Sequence, residues 1–233
     1  VTLTQQFTIA SDCQYRVDLD GAVGAEVEGA CWETWHQAML DGAILQAAAA
    51  VGGARYALDI TNQYAKDRQQ FGKPIGAFQS LSHYLADAVT RVDGAEILVH
   101  EAAWAASMGR PVGQLAPMAK LFADQTFRDV TAMAQQIWGG VGFTLEYDPQ
   151  LYLRRARAWG SWLGDETSDW SVVADDRLRG PRVPTTATTS AAEASEGLDF
   201  SVPESAARFR ADVRAFLSEH MTPEVHHRMR ATG

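Results

Sequence analysis

The chain has 233 residues, a formal net charge of -9 at pH 7, and 46% hydrophobic residues. This length accommodates one large or two small domains with a substantial core. The acidic balance argues against a nucleic-acid-binding protein, whose usual signature is a basic patch. An anionic ligand remains compatible with this charge where cationic side chains are placed locally.

The cysteine content and the lack of long apolar runs indicate a cellular location. Two cysteines, Cys13 and Cys31, provide neither a disulfide framework nor a metal-ligand spacing, so a reducing compartment is expected. Each is predicted to be a small buried side chain. No apolar run reaches the length of a membrane span, and the first residues lack the regions of a signal peptide. We therefore expect a cytoplasmic protein without a membrane span or a bound metal.

Two short strands are predicted within residues 1–20, because polar and apolar side chains alternate there with a period of two. Two strands do not form a stable sheet alone. Either they complete a sheet formed elsewhere, or the chain starts in the middle of a domain.

Long helices follow, each predicted from apolar residues at spacings of three and four. They cover about 35–68, 81–109 and 118–139, and shorter helices are predicted over 148–158 and about 164–178. The short connections make the long helices antiparallel, and their wide apolar faces need partners. The predicted fold class is therefore mainly α, a helical bundle.

A glycine pair, Gly52 and Gly53, interrupts the first long helix. Each glycine costs roughly 1 kcal/mol of helix stability relative to alanine. We expect the close approach of a neighbouring helix to compensate, because small residues allow two helices to pack tightly.

The composition changes after the last of these helices. Residues 179–198 are rich in Pro, Thr, Ser, Ala and Glu and have no apolar period, which predicts a linker. A helical apolar pattern returns within residues 199–233. We expect this pattern to begin a further domain that the chain does not finish.

Two glycine-containing motifs lie at helix ends. Residues 68–79 read Arg-Gln-Gln-Phe-Gly-Lys-Pro-Ile-Gly-Ala-Phe-Gln, a turn with an arginine at its entrance. Such a turn suits a bound anion such as a pyrophosphate, but it also suits a simple helix connection with a satisfied arginine. Residues 135–143 read Gln-Gln-Ile-Trp-Gly-Gly-Val-Gly-Phe and end the third long helix, where the glycines also suit a helix C-cap.

With R-x-x-F-G-K-x-I-x-x-F-Q followed by Q-x-x-G-G-x-G-F on this helical pattern, the chain resembles the acyl-CoA dehydrogenases over about residues 1–178. The resemblance implies that 31–178 is the four-helix bundle of their C-terminal domain, preceded by the end of a β-domain over 1–30. It also implies that 199–233 starts a second N-terminal helical domain. Tandem and two-chain enzymes of this kind act in bacterial steroid side-chain degradation.

The resemblance also implies a cofactor and partners. FAD would be bound between the subunits of a homo- or hetero-oligomer, with an acyl-CoA substrate and an electron-accepting flavoprotein as partners. Arg68 and Gln70 would reach the FAD pyrophosphate of a neighbouring subunit, and Phe78 and Gln79 would lie beside its adenosine part. The complete predicted set of cofactor-contacting residues is Arg68, Gln70, Phe71, Phe78, Gln79, Gln136, Ile137, Trp138, Gly139, Gly140 and Asp165.

The catalytic base of the family has no counterpart here. In the family a glutamate removes the α proton, but its two known positions correspond to Leu163 and Gly42 in this chain. Asp165 and Glu166 lie next to the expected position, yet Asp165 also suits the N-cap and Glu166 the first turn of the following helix. We therefore predict a FAD-sharing subunit or half of an acyl-CoA dehydrogenase assembly without its own base. In the alternative, Asp165 or Glu166 is the base.

Overall fold

A computed structural model describes residues 1–25, 27–29, 31–179 and 204–220 of the chain. The chain divides into two units, Val1–Leu178 and Arg179–Thr232. Except for its first residue, the linker predicted over 179–198 lies outside the described residues.

The N-terminal strands form a hairpin, as predicted. Strand β1 (Thr2–Gln6) pairs antiparallel with β2 (Gln14–Asp18), and Leu3 lies opposite Val17. These two side chains are 63% and 52% exposed, since a two-stranded hairpin has no second layer to cover it.

The hairpin region is tied to the helices by Arg154. Its guanidinium donates to the carbonyl oxygen of Ile9 at 3.2 Å and to the hydroxyl of Ser11. Cys13 and Cys31 are both exposed, so the prediction that they are buried was wrong. The physical reason is their place: one lies in the hairpin loop and the other just before the first helix, and neither is on a core-facing helix stripe.

Five helices build the first unit. They are α1 (Trp32–Asp67), α2 (Gln79–Ser107), α3 (Leu115–Trp138), α4 (Pro149–Trp159) and α5 (Glu166–Arg179). The first four alternate in direction, because each connection is short. The mainly α fold class is confirmed.

In the second unit, α6 (Glu204–His220) forms within the segment that has the returning apolar pattern. Whether this helix starts a further dehydrogenase domain stays a prediction.

Close packing of α1 against α3 explains one member of the glycine pair. A Cβ added to Gly53 would lie 2.6 Å from Cζ of Phe127, a fully buried ring on α3. A Cβ on Gly52 would meet nothing within 4 Å. The predicted close approach is therefore confirmed at Gly53 and is wrong for Gly52, which faces away from the core.

The alternating helix directions give the bundle two functional ends. The glycine end holds residues 68–79 and 135–143, at the C-terminal ends of α1 and α3. The loop end holds residues 32–43 and 160–169, at the N-terminal end of α1 and after α4. At 1.5 Å per residue, Gly42 and Arg68 lie about 39 Å apart along α1.

Candidate functional site

The glycine end begins with a tight hairpin between α1 and α2. Strand β3 (Gln69–Gln70) pairs with β4 (Lys73–Pro74), leaving Phe71 and Gly72 as the two turn residues, with φ of 54° and 78°. Positive φ at both positions is typical of a type I′ turn, which a bulky residue rarely adopts. Phe71 is nevertheless 90% exposed, with its ring centroid 6.1 Å from that of Phe78. A strained and exposed aromatic side chain is typical of a binding position.

Arg68 stands at the entrance of this hairpin, fixed by its backbone. Its N–H donates to the carbonyl oxygen of Tyr64 at 2.9 Å, and its own carbonyl accepts from Ile75 N–H at 2.8 Å. Its side chain is exposed, and no carboxylate of the described part of the chain pairs with it. A positioned guanidinium of this kind suits the two oxygens of a phosphate.

The second motif meets the first at the same end. The indole of Trp138 stacks on the ring of Tyr64, with centroids 4.1 Å apart and planes at 12°. Its Nε1 also donates to Oγ1 of Thr61 at 3.1 Å. The Trp138 side chain therefore packs against α1. Gln136 is exposed, and Gly139 has φ 60°, a conformation that favours glycine.

Gln135 is the first residue of the second motif, and it was not among the predicted cofactor-contacting residues. It is 7% exposed, and neither atom of its amide group has a hydrogen-bond partner among the described residues. A Cβ added to Gly142 would lie 2.6 Å from Nε2 of Gln135. Its burial was hard to predict, because two consecutive glutamines near the end of a helix are typical of an exposed position.

At the loop end, Leu163 takes the place expected for a base. A Cβ added to Gly42 would lie 3.0 Å from Cδ1 of Leu163. The two positions that the resemblance assigns to the base are thus neighbours in space, and both are apolar. Leu163 borders a groove of about 260 Å³ whose lining also includes Trp32, Trp35, His36, Met39 and Val172.

The neighbouring acids are held in structural contacts. The N–H of Ser168 donates to Oδ1 of Asp165 at 2.8 Å, and the N–H of Asp165 donates to Oγ of Ser168 at 3.0 Å. This reciprocal pair caps α5 and confirms the N-cap interpretation. The hydrogen bond from Ser168 holds the pKa of the Asp165 carboxyl below its ordinary value, which weakens it as a base. Glu166 Oε2 lies 2.8 Å from the guanidinium of Arg128.

A buried charge cluster lies beneath this loop. Lys120, only 1% exposed, places Nζ 2.8 Å from Oδ2 of Asp169 and 3.3 Å from Oδ2 of Asp124. It also donates to the carbonyl oxygen of Gly164 at 3.1 Å. Burial raises the pKa of the Asp124 carboxyl, and Lys120 opposes that rise. The cluster anchors the loop that carries Leu163 to α3, and sequence reasoning missed it.

Within the described ranges, no three or more His, Cys, Asp or Glu side chains form a group able to hold a metal ion. No helix in those same ranges is both long enough and apolar enough to cross a bilayer.

The architecture and the paired motifs define a helical-bundle domain of the kind found in flavin-dependent dehydrogenases. Residues 30–177 match the family model of the acyl-CoA dehydrogenase C-terminal domain, which covers more than half of the chain. The chain belongs to the acyl-CoA dehydrogenase family. This membership confirms the resemblance.

Individual relatives share this domain. Acyl-CoA dehydrogenase IpdE2 of Mycolicibacterium smegmatis is 38% identical over 165 residues, which is 70% of this chain and 51% of IpdE2. Butyryl-CoA dehydrogenase from Megasphaera elsdenii matches with a TM-score of 0.68 at 30% identity, over 76% of this chain and 48% of that one. A variant of the Tcur3481-Tcur3483 steroid ACAD matches with a TM-score of 0.70 at 28% identity, over 77% of this chain and 49% of that one. The chain therefore spans about half the length of these relatives.

Proposed function

We propose that this chain is a FAD-sharing subunit, or half, of an acyl-CoA dehydrogenase assembly that lacks its own catalytic base. The assembly carries out α,β-dehydrogenation of an acyl-CoA thioester, and its FAD, when bound, accepts the hydride. The observation that carries the proposal is that the two glycine-containing motifs lie at one end of the bundle. There Trp138 of the second motif stacks on Tyr64, which lies one helical turn before Arg68 of the first.

The residues at the glycine end fit the pyrophosphate and adenosine parts of FAD. Arg68 offers a guanidinium without a described carboxylate partner, and Gly142 lies where a Cβ would collide with Gln135, so the chain turns tightly there. Arg68, Gln70 and the backbone of residues 136–140 would hold the pyrophosphate. The aromatic and amide groups of Phe71, Phe78 and Gln79 would lie along the adenosine part.

The distance between the two ends supports sharing of the cofactor. The flavin ring reacts beside the base position, which is at the loop end, whereas the pyrophosphate contacts are at the glycine end. About 39 Å of helix separates them, far more than the five-carbon ribityl chain that joins the flavin ring to the pyrophosphate. The two ends of a single chain would therefore serve different FAD molecules, as in an oligomer with cofactors between subunits.

The loop end supports a base supplied by another unit. Leu163 and Gly42 have no group that accepts a proton, Asp165 caps α5, and Glu166 pairs with Arg128. The alternative, with Asp165 or Glu166 as base, requires one of these contacts to break, and no observation favours it.

We also propose a steroid-linked acyl chain as the substrate and an electron-transferring flavoprotein as the electron acceptor. The structural similarity to the Tcur3481-Tcur3483 steroid ACAD supports the substrate class.

The FAD content of the assembly tests the cofactor assignment. The tagged chain is purified under native conditions with the proteins that accompany it, and the ratio of FAD to protein is measured from flavin absorbance. Arg68→Ala is expected to weaken FAD binding about tenfold to a hundredfold, as expected for the loss of charge-assisted hydrogen bonds. Arg110→Ala is the control, because Arg110 stacks on Trp104 at the opposite end of α2.

Two outcomes would overturn the proposal. An Arg68→Ala assembly that keeps the FAD content of the Arg110→Ala control would remove the glycine end from the cofactor site. An isolated chain that carries one FAD and oxidises an acyl-CoA would show that it has a base of its own.

A further inference from the structure

Three buried glutamines occur in the described part of the chain, and they differ in how their amides are satisfied. Gln46 donates to the carbonyl oxygen of Trp159 at 3.1 Å, and Gln150 accepts from Arg154 at 2.9 Å. Gln135 is 7% exposed, and both atoms of its amide have no partner within the described residues. A buried amide without any partner is unfavourable and calls for an explanation.

The amide of Gln135 faces the glycine turn. A Cβ added to Gly142 would lie 2.6 Å from Nε2 and 3.4 Å from Cδ of Gln135, so any side chain at this position would collide with the amide. On the other side, the Trp138 indole is fixed by its stacking on Tyr64 and its hydrogen bond to Thr61. The amide is thus held against the inner side of residues 139–143.

Gln136, the next residue, is exposed on the outer side of the same turn. A step of one residue rotates a side chain by about 100° around a helix, so the two consecutive glutamines approach the turn from different directions. The turn is therefore flanked by two amides, one accessible to solvent and one buried.

We propose that Gln135 is a further binding residue for the phosphate oxygens of FAD, and this inference rests on the proposed function. Because the amide lies on the inner side of the glycine turn, its nitrogen donates to the pyrophosphate through one ordered water. A phosphate oxygen is a pure acceptor and matches the unpartnered donor, and the low polarity around a buried amide strengthens such a bond. Gly142 is small because the amide needs the space behind the turn.

Gln135→Leu tests this role, since leucine fills a similar volume without hydrogen-bonding groups. In the flavin-free assembly the variant is expected to raise the thermal midpoint, because a buried unpartnered amide is removed. In titrations with FAD followed by flavin fluorescence, the same variant is expected to bind about tenfold more weakly. Gln135→Met is measured in parallel, so that a folding defect of either variant leaves the other for the test.

Gln114→Leu is the matched control, because Nε2 of Gln114 is also buried without a described partner, at the other end of α3. Its FAD affinity is expected to equal that of the unsubstituted chain. Unchanged FAD affinity in both Gln135 variants, with weakened binding in Arg68→Ala, would overturn this inference and leave the proposed function in place. Unchanged affinity in Arg68→Ala as well would overturn both.

Discussion

Replacing Lys120 by methionine removes the positive charge from the buried cluster at the loop end and keeps a side chain of similar length. Asp169 and Asp124 then stay in the core without the ammonium group that lies 2.8 and 3.3 Å from their carboxylate oxygens. The hydrogen bond from Nζ to the carbonyl oxygen of Gly164 is lost too.

The size of the effect follows from the burial of Lys120, which is 1% exposed. Removing one partner of a buried ion pair typically destabilises a protein by about 3–5 kcal/mol, because the remaining charge is uncompensated. The same substitution at an exposed lysine changes the free energy of unfolding by no more than about 0.5 kcal/mol. Lys120→Met is therefore expected to lower the free energy of unfolding by about 3–5 kcal/mol at neutral pH.

This loss depends on pH, with a defined sign. Burial raises the folded-state pKa of Asp124 above its ordinary value, and Lys120 opposes that rise, so removing Lys120 raises this pKa further. An acid whose folded pKa is raised takes up a proton on folding. Its contribution to stability is therefore largest in acid and is lost as pH rises through the interval between the ordinary and the folded pKa. The destabilisation by Lys120→Met is expected to shrink as the pH falls.

Urea unfolding of the 233-residue chain, followed by tryptophan fluorescence at neutral pH and at about pH 5, measures both effects. Lys66→Met serves as the control, since Lys66 is an exposed residue near the end of α1. A loss below about 1 kcal/mol would refute the role of the cluster. An equal loss at both pH values would show that lost packing, and not unpaired charge, causes the destabilisation.

Two further predictions concern the helix contact and the loop end. Gly53→Ala would place a Cβ 2.6 Å from the Phe127 ring and is expected to lower the free energy of unfolding by about 1–3 kcal/mol. Gly52→Ala is expected to raise it by about 1 kcal/mol, because this residue meets no neighbour. Equal free energies of unfolding for the two variants, measured in urea, would contradict the packing argument. Leu163→Glu is expected to make the FAD-loaded assembly exchange the α protons of an acyl-CoA with solvent deuterium, which NMR measures. Equal exchange in the Leu163→Gln control would show that a carboxylate at this position does not act as the base.

The helices were predictable because their apolar periodicity records which face is buried. On α1 the buried positions begin at Leu40, and the predicted start at about residue 35 is three residues later than the observed start at Trp32. Trp32 and Trp35 are both exposed, so the first turns of α1 carry no buried stripe. The two motifs were predictable as a pair, since both stand at helix ends that antiparallel packing brings together.

The buried polar contacts were not predictable from local pattern. Lys120 and Asp169 are 49 residues apart, and only the packing of α5 against α3 makes them a pair. The prediction of buried cysteines was wrong for the opposite reason. Cysteine is usually buried, but both cysteines of this chain lie outside the apolar helix faces that form the core. The N-cap at Asp165 was predictable because its partner, Ser168, is three residues away.

The contact between Leu163 and Gly42 restricts how this domain can change in evolution. A methyl group at position 42 would need only a small shift of Leu163 Cδ1, now 3.0 Å from that Cβ position, but a longer side chain would need the volume that Leu163 fills. A lineage that moves its carboxylate from the loop to the helix must therefore shrink the loop residue first or in the same step. An intermediate with two small residues would have no carboxylate at either position, and an intermediate with two large ones would be strained. A chain with Leu163 and Gly42 would gain a carboxylate at either position only through a substitution that suits the space left by the other residue.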